Sequence, residues 1–232
     1  MIARDSKLGI TLAARSLGTV ADATIIELRA LCDREFNSAS QQTDRRVRGI
    51  GQSVLGHRFG PNRLVLRDDR GHEYVEEGRG AISESGDSYR ETLSFLGLRP
   101  SARSGVIEVG HVWVVEVSDE VVTVAVPGET NIHIAGCEAR VTVTRVAGVY
   151  ASGSARLEFE PRDPDADRQL VYVELIDPDP PARPGGRLSH EFGRRPIVEA
   201  PELTHVTHEL RLRHPVIQLH GPWRLEISLS TN

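Results

Sequence analysis

Short stretches in which hydrophobic and polar residues alternate run along the whole chain, separated by turns rich in glycine, proline and aspartate. Alternation with a period of two is typical of β-strands with one buried face. The clearest case is RLVLR, the turn Asp68-Asp69-Arg70-Gly71, and then HEYV. Gly71 stands where a tight turn needs a positive φ. The sequence therefore predicts a β-hairpin over residues 63–75.

The same pattern predicts further strands in both halves of the chain. Residues 9–14 and 23–31 are apolar and rich in β-branched side chains, and although the second also fits one face of a helix, we favour a strand. Alternating segments follow at 91–98, 105–117, 121–126, 138–146, 153–159, 169–176, 203–212 and 223–229. Within these strands, Trp113 and Trp223 are predicted core residues. Short strands at this spacing predict an all-β sandwich or barrel.

The chain is long enough for two modules. With 232 residues, of which 39% are hydrophobic, it can bury two ordinary cores without a disulfide or a metal. Pro127-Gly128 marks the boundary between halves of similar style. We therefore predict two immunoglobulin-like antiparallel β-sandwich modules in tandem, residues 1–128 and 129–232, with an inserted polar loop at 37–60 in the first.

The first half has the features of a known family. The hairpin carries Leu64, Val65, Asp69, Gly71 and Tyr74, and an edge with Pro100 and Gly105 follows. Through these residues, the segment from about residue 8 to residue 128 resembles the immunoglobulin-like sandwich of the DUF4352 family. The second half, with VYVELIDPD and the closing GPWRLEISL, is similar to generic immunoglobulin-like interaction domains. The resemblance implies a β-sandwich in each half and no particular chemistry.

Charge and hydropathy narrow the classes of partner. The formal net charge is −5, and the 26% of charged residues mix both signs, so no nucleic-acid partner is predicted. No window is apolar over the eighteen or so residues that a membrane span needs, so no membrane partner is predicted. The N-terminus lacks an apolar leader, and Cys32 and Cys137 fit no metal-ligand spacing. We predict a cytoplasmic chain with free thiols and no cofactor; a Cys32–Cys137 disulfide is the alternative if a leader was removed.

The inserted loop is the predicted partner-binding segment. Arg45, Arg46, Arg48 and Arg58 make it basic within an acidic protein, and Phe59 supplies one apolar anchor. Guanidinium groups bind carboxylates and phosphates through paired hydrogen bonds. The loop therefore fits an acidic protein partner or a phosphate-bearing ligand, and an ordinary solvated loop is the alternative.

Two clusters resemble metal-binding motifs, and each of them departs from its motif. Asp163, Asp165 and Asp167 have the acidic spacing of a calcium loop, but Arg168 stands where that loop requires glycine. A solvated turn is the alternative. The segment HVTHE, with His205 and His208, resembles a zinc hydrolase motif only superficially, because its histidines are three apart rather than four.

The sequence favours binding over catalysis. It contains no nucleophile elbow, no P-loop and no dinucleotide fingerprint. We therefore predict a non-enzymatic protein-binding or assembly module of a bacterial or phage-like system, acting on a protein partner or by self-association. A calcium- or ligand-binding sandwich of the carbohydrate-binding or C2 kind is the alternative, and a metal-dependent hydrolase is a third.

Overall fold

The computed structural model describes residues 2–32, 64–85, 88–116, 119–146, 153–176, 187–189, 197–203 and 208–229. Within these ranges the chain forms antiparallel β-strands and no helix, which confirms the predicted all-β class. The strands are β1 (Ala3–Lys7), β2 (Ile10–Val20), β3 (Ala23–Cys32), β4 (Val65–Asp68), β5 (Glu73–Ser85), β6 (Ser88–Leu96), β7 (Ser104–Val115), β8 (Val122–Ala125), β9 (Gly128–Ile134), β10 (Cys137–Val146), β11 (Gly153–Pro161), β12 (Arg168–Ile176), β13 (Arg187–Ser189), β14 (Ile197–Leu203) and β15 (Glu209–Ser228).

The strands divide between two compact units. Among the described residues, unit 1 comprises those up to Val112 and those from His220 onward, and unit 2 comprises those from Trp113 to Leu219. The long strands β7 and β15 contribute residues to both units. The predicted boundary after residue 128 stays a prediction.

Unit 1 is built on strands in the order β1-β2-β3-β6-β5-β4-β7-β15. The strands at the two ends of this order approach each other. Lys7 Nζ donates to the carbonyl of Gly221 at 2.7 Å, and the N–H of Arg224 donates to Asp5 Oδ2 at 2.7 Å. The sheet of unit 1 therefore curves back around its own core. The largest fully buried side chains of that core are Trp223, Phe95, Ile10, Leu12, Ile26, Leu28, Leu66, Leu93 and Ile107.

Trp223 confirms the prediction that it belongs to the core. Its side chain is fully buried, and its indole Nε1–H donates to the carbonyl of Ile10 at 3.2 Å. A buried indole N–H needs such an acceptor. The side chain of Trp113 lies outside the described residues.

Unit 2 contains two sheets. One has the order β13-β14-β11-β10-β9, and in the other β15 pairs with both β12 and β8. Buried side chains from both sheets form its core, among them Val141, Leu157, Phe159, Leu170, Val173 and Leu212. The thiol of Cys137 is free and buried, and burial raises its pKa although the nearby Arg168 acts in the opposite direction. The side chain of Cys32 lies outside the described residues.

Several strands differ from the prediction. Residues 23–31 form a strand, as predicted, whereas β1, β9, β13 and most of β14 arise where no strand was expected. β5 continues through the glycine-rich stretch at 78–86 as far as Ser85. Residues 209–228 form one strand rather than parts of two, since the strand accommodates Pro215 beside a register shift in its pairing with β12. Proline is tolerated in a sheet at such irregularities because no ladder hydrogen bond is required there.

The predicted hairpin is confirmed. Val65, Leu66 and Arg67 pair with Val75, Tyr74 and Glu73, and Gly71 has a φ of 81°. The buried carboxylate of Asp68 accepts the N–H groups of Arg70 and His72, each at 2.9 Å, and the hydroxyl of Tyr74 at 3.0 Å. Burial raises the pKa of Asp68, but these hydrogen bonds outweigh it and lower the pKa to about 2.

The pH dependence of stability tests this arrangement. Because the pKa of Asp68 is lower in the folded chain than the usual value of about 3.9, its stabilising contribution is complete above that value. The contribution is lost as the pH falls toward about 2. We expect Asp68→Asn to lower the melting temperature at neutral pH and to flatten its decline in that acid window.

The neighbouring Asp69→Asn is the matched control. The carboxylate of Asp69 takes one long hydrogen bond, from the N–H of Arg103 at 3.4 Å. We expect this variant to keep the wild-type pH dependence in thermal melts followed by circular dichroism. An Asp68→Asn profile parallel to that of the wild type would contradict the proposed role of the carboxylate.

Candidate functional site

The partner-binding residues predicted from the sequence, Arg45, Arg46, Arg48, Arg58 and Phe59, lie outside the described residues. Their role stays a prediction. A second group of arginines, distant from one another in the sequence, comes together on the sheet of unit 1.

Three arginines form a row across the strands of unit 1. Arg4 on β1 and Arg29 on β3 both pair with Ala13, on opposite sides of β2, and Arg29 also pairs with Arg90 on β6. Residues that are directly opposite in antiparallel strands project from the same face of the sheet. The three side chains therefore share one face, with neighbouring strands about 4.8 Å apart.

Arg15 and Glu27 lie beside this row on the same face. They pair with each other across β2 and β3, two positions along the strands from Ala13 and Arg29. The opposite face of these strands carries Leu12, Ile26 and Leu28, which are buried in the core. We call the set Arg4, Arg15, Glu27, Arg29 and Arg90 the arginine face.

Glu27 joins three of the guanidinium groups. Its Oε1 accepts the Nε–H of Arg15 at 2.9 Å and that of Arg29 at 2.8 Å, while its Oε2 lies 3.7 Å from Nη1 of Arg90. The Glu27 side chain is only 7% exposed, whereas those of the three arginines are 41–48% exposed. One buried carboxylate thus holds several accessible cations together.

Glu27 remains charged in this setting. Burial raises its pKa, but hydrogen bonds and charge interactions with Arg29 and Arg15 outweigh it, so the pKa lies below the usual value for glutamate. Like charges that face each other across strands repel, as Arg29 and Arg90 do here. The ionised carboxylate offsets this repulsion and keeps the guanidinium groups close together.

The arginine face keeps many hydrogen-bond donors for an anion. Each guanidinium group has five N–H donors, and Arg15 and Arg29 each use their Nε–H on Glu27. Within the described part of the chain, the exposed Arg4 takes part in no ion pair. Terminal guanidinium nitrogens bind carboxylates and phosphates through paired hydrogen bonds. The arrangement therefore fits an anionic group brought from outside.

The aspartates predicted to bind calcium lie on the turn between β11 and β12. Asp163, Asp165 and Asp167 are all exposed, and Asp163 Oδ1 accepts the N–H of Asp165 at 3.0 Å. The described ranges contain no group of three or more histidine, cysteine, aspartate or glutamate residues that could hold a metal ion. The calcium interpretation gains no support from this geometry.

The C-terminal part of the chain, which includes the segment HVTHE, carries several histidines. His208 and Glu209 are exposed at the start of β15, and His214 lies within that strand with a φ of 58°. Partial burial and the charge of Arg213 lower the pKa of His214, against the opposite influence of Asp119. His190 and His205 lie outside the described residues.

The described residues of unit 2 also form a depression. It has a volume of about 430 Å³ and is lined by Glu129, Asn131, Arg140, Glu160, Pro161 and Arg162. Arg140 donates to the carboxylate of Glu160, and Glu160 and Glu129 both raise the pKa of Arg140. Because opposite charges already neutralise each other here, the depression attracts an ion less strongly than the arginine face does.

The arginine face was missed in the sequence because its members are spread over residues 4–90. One local signal was present. In ATIIELRAL, Glu27 and Arg29 stand at alternate positions, opposite in phase to Ile26 and Leu28. This pattern predicts a charged outer face on β3. It does not reveal that Arg15 and Arg90 occupy the adjoining strands.

Comparison of the chain with protein-family models, curated proteins and solved structures finds no match. The resemblance to the DUF4352 family therefore stays a prediction. In the described ranges, no helix is long and apolar enough to cross a membrane.

Proposed function

We propose that this chain is a non-enzymatic protein-binding module that works in an assembly of a bacterial or phage-like system. In this proposal its two parts are tandem immunoglobulin-like sandwiches, and the arginine face binds an acidic segment of a protein partner. The observation that carries the proposal is the presence of four guanidinium groups on one face of a sheet, three of which pair with the buried carboxylate of Glu27.

The shape of the site favours a macromolecular partner. Small-molecule sites are concave and mostly apolar, whereas the arginine face is the outer side of paired strands. Its arginines are partly exposed and lie on neighbouring strands, so an extended ligand with several anionic groups can contact more than one of them. A segment rich in aspartate or glutamate has this chemistry.

The surroundings favour protein over nucleic acid. Binding of single strands relies on aromatic side chains on which bases stack. Besides members of the arginine face itself, the described positions that pair with it are Ala13, Ser83 and Thr92. The next positions along β2, β3 and β6 include Thr11, Ile25, Leu31, Ser88 and Ser94. None of these is aromatic.

Titration with an acidic peptide tests the proposal. The probe is a labelled peptide of alternating glutamate and glycine, and its affinity is measured by fluorescence anisotropy against a serine-glycine peptide as neutral control. The variant R4Q/R90Q removes two charges of the arginine face and leaves both short hydrogen bonds of Glu27 intact. We expect it to weaken binding about tenfold, because two exposed ionic contacts contribute about 1–2 kcal/mol together.

The matched control is R70Q/R99Q, which removes the same charge from two exposed arginines that lie outside the strands of the arginine face. It should bind the peptide as the wild type does, and added salt should weaken binding to both. The proposal fails if the wild type does not bind the acidic peptide, or if the control variant loses as much affinity as R4Q/R90Q.

A further inference from the structure

We infer that the acidic segment bound by the arginine face is the turn between β11 and β12 of a second copy of this chain. This inference rests on the proposed function and names its partner. It relates two features of the described surface, a basic sheet face in unit 1 and an acidic turn in unit 2. The proposed function by itself gives no role to the turn.

The turn has the chemistry that the arginine face requires. β11 ends at Pro161 and β12 begins at Arg168, and between them Asp163, Asp165 and Asp167 expose three carboxylates within five residues. In the described part of the chain these carboxylates form no ion pair with arginine, lysine or histidine. Asp163 uses one oxygen to accept the N–H of Asp165, which holds the turn in shape.

The charge balance of the whole chain favours a copy of itself as partner. The arginine face carries four positive charges and one negative charge in a protein with a formal net charge of −5. The remaining surface is therefore more acidic than the net charge suggests. Complementary charges increase the rate of association and select the orientation of the partners.

Such a contact links identical copies head to tail. The arginine face of one copy binds the turn of the next, so the interface is made of two different surfaces. Interfaces of this kind build either closed rings or open chains, rather than two-fold dimers. An open chain keeps one unused surface at each end. The predicted assembly role of this protein would follow directly from that geometry.

Complementation between two variants tests the inference. R4Q/R90Q weakens the face but keeps the turn, and D163N/D165N/D167N removes the charge of the turn but keeps the face. Asparagine at position 163 still offers an oxygen to the N–H of residue 165, so the shape of the turn is preserved. Circular dichroism checks the fold of each variant, and light scattering measures its mass across a range of concentrations.

We expect the mass of the wild type to rise with concentration beyond two chains and to fall with added salt. At concentrations at which the wild type begins to assemble, each variant alone should remain a monomer, whereas an equal mixture should form complexes of two chains and no larger species. R70Q/R99Q should assemble as the wild type does. Complementation also guards against misfolding, since a variant that forms the mixed complex must be folded.

Two outcomes would overturn the inference: a wild type that stays monomeric at every concentration, or a D163N/D165N/D167N variant that still assembles. The peptide titration distinguishes a failure of this inference from a failure of the proposed function. A monomeric wild type that binds the acidic peptide through the arginine face refutes only the second copy as partner. A monomeric wild type that does not bind the peptide refutes both.

Discussion

Replacement of Trp223 by alanine is expected to lower the free energy of unfolding by about 3–5 kcal/mol, the usual cost of removing a large aromatic side chain from a core. Trp223 is fully buried in unit 1, near the place where the two ends of its strand order approach each other. Its indole also donates to the carbonyl of Ile10 on β2. Urea unfolding followed by circular dichroism measures the loss.

Trp223→Phe separates packing from hydrogen bonding. Phenylalanine keeps most of the buried ring but leaves the carbonyl of Ile10 without its indole donor. We expect an intermediate loss of about 1–3 kcal/mol, the range for an unsatisfied buried polar group. A loss below about 1 kcal/mol for Trp223→Ala would show that this residue does not support the core as described.

Substitution of Gly221 by alanine is the second large effect that we expect. A Cβ atom at this position would lie 2.5 Å from the carbonyl oxygen of Val109 and 2.8 Å from Cε3 of Trp223. The first neighbour is backbone and the second is a buried ring, so neither can move aside at little cost. We expect a loss of about 1–3 kcal/mol, typical of overpacking, in the same urea experiment.

Gly110→Ala is the matched control for this prediction. Gly110 is also a strand glycine, on β7, but a Cβ atom there would meet nothing within 4 Å. We expect a change of no more than about 0.5 kcal/mol. Equal destabilisation by the two substitutions would mean that close packing around Gly221 is not the cause.

The alternation of hydrophobic residues was sufficient to predict most strands. In β3, β10, β11 and β12, apolar side chains recur at every second position and supply one face of a core, so the local pattern and the final structure agree. The hairpin at β4 and β5 was predicted because its turn chemistry is local too. Asp68 and Gly71 satisfy the backbone of the turn within a few residues.

Strands whose local sequence lacks a continuous hydrophobic pattern were not predictable. β1 has the sequence ARDSK, which contains no large apolar residue, and it forms through its pairing with β2. In β15, Pro215, Gly221 and Pro222 are residues that usually end a strand. Pairing with β12 and β8, and the core around Trp223, override that local preference over the length of the strand.

The candidate site was harder to predict from the sequence than the strands were. Clusters such as Arg45, Arg46 and Arg48 are visible because they are contiguous. By contrast, Arg4, Arg29 and Arg90 become neighbours only through the registers of β1, β2, β3 and β6. Register is set by tertiary pairing. A search for charged residues at outward positions of adjacent strands would have been needed to find the arginine face.

Nuclear magnetic resonance of the arginine side chains tests the central claim most directly. The protein is labelled with ¹⁵N-arginine, the Nε–H signals are assigned from single Arg→Gln variants, and the acidic peptide is added stepwise. We predict that the signals of Arg4, Arg15, Arg29 and Arg90 shift together, whereas those of Arg70 and Arg99 remain in place. Shifts confined to Arg45, Arg46, Arg48 and Arg58 would contradict the claim and place the binding site in the inserted loop.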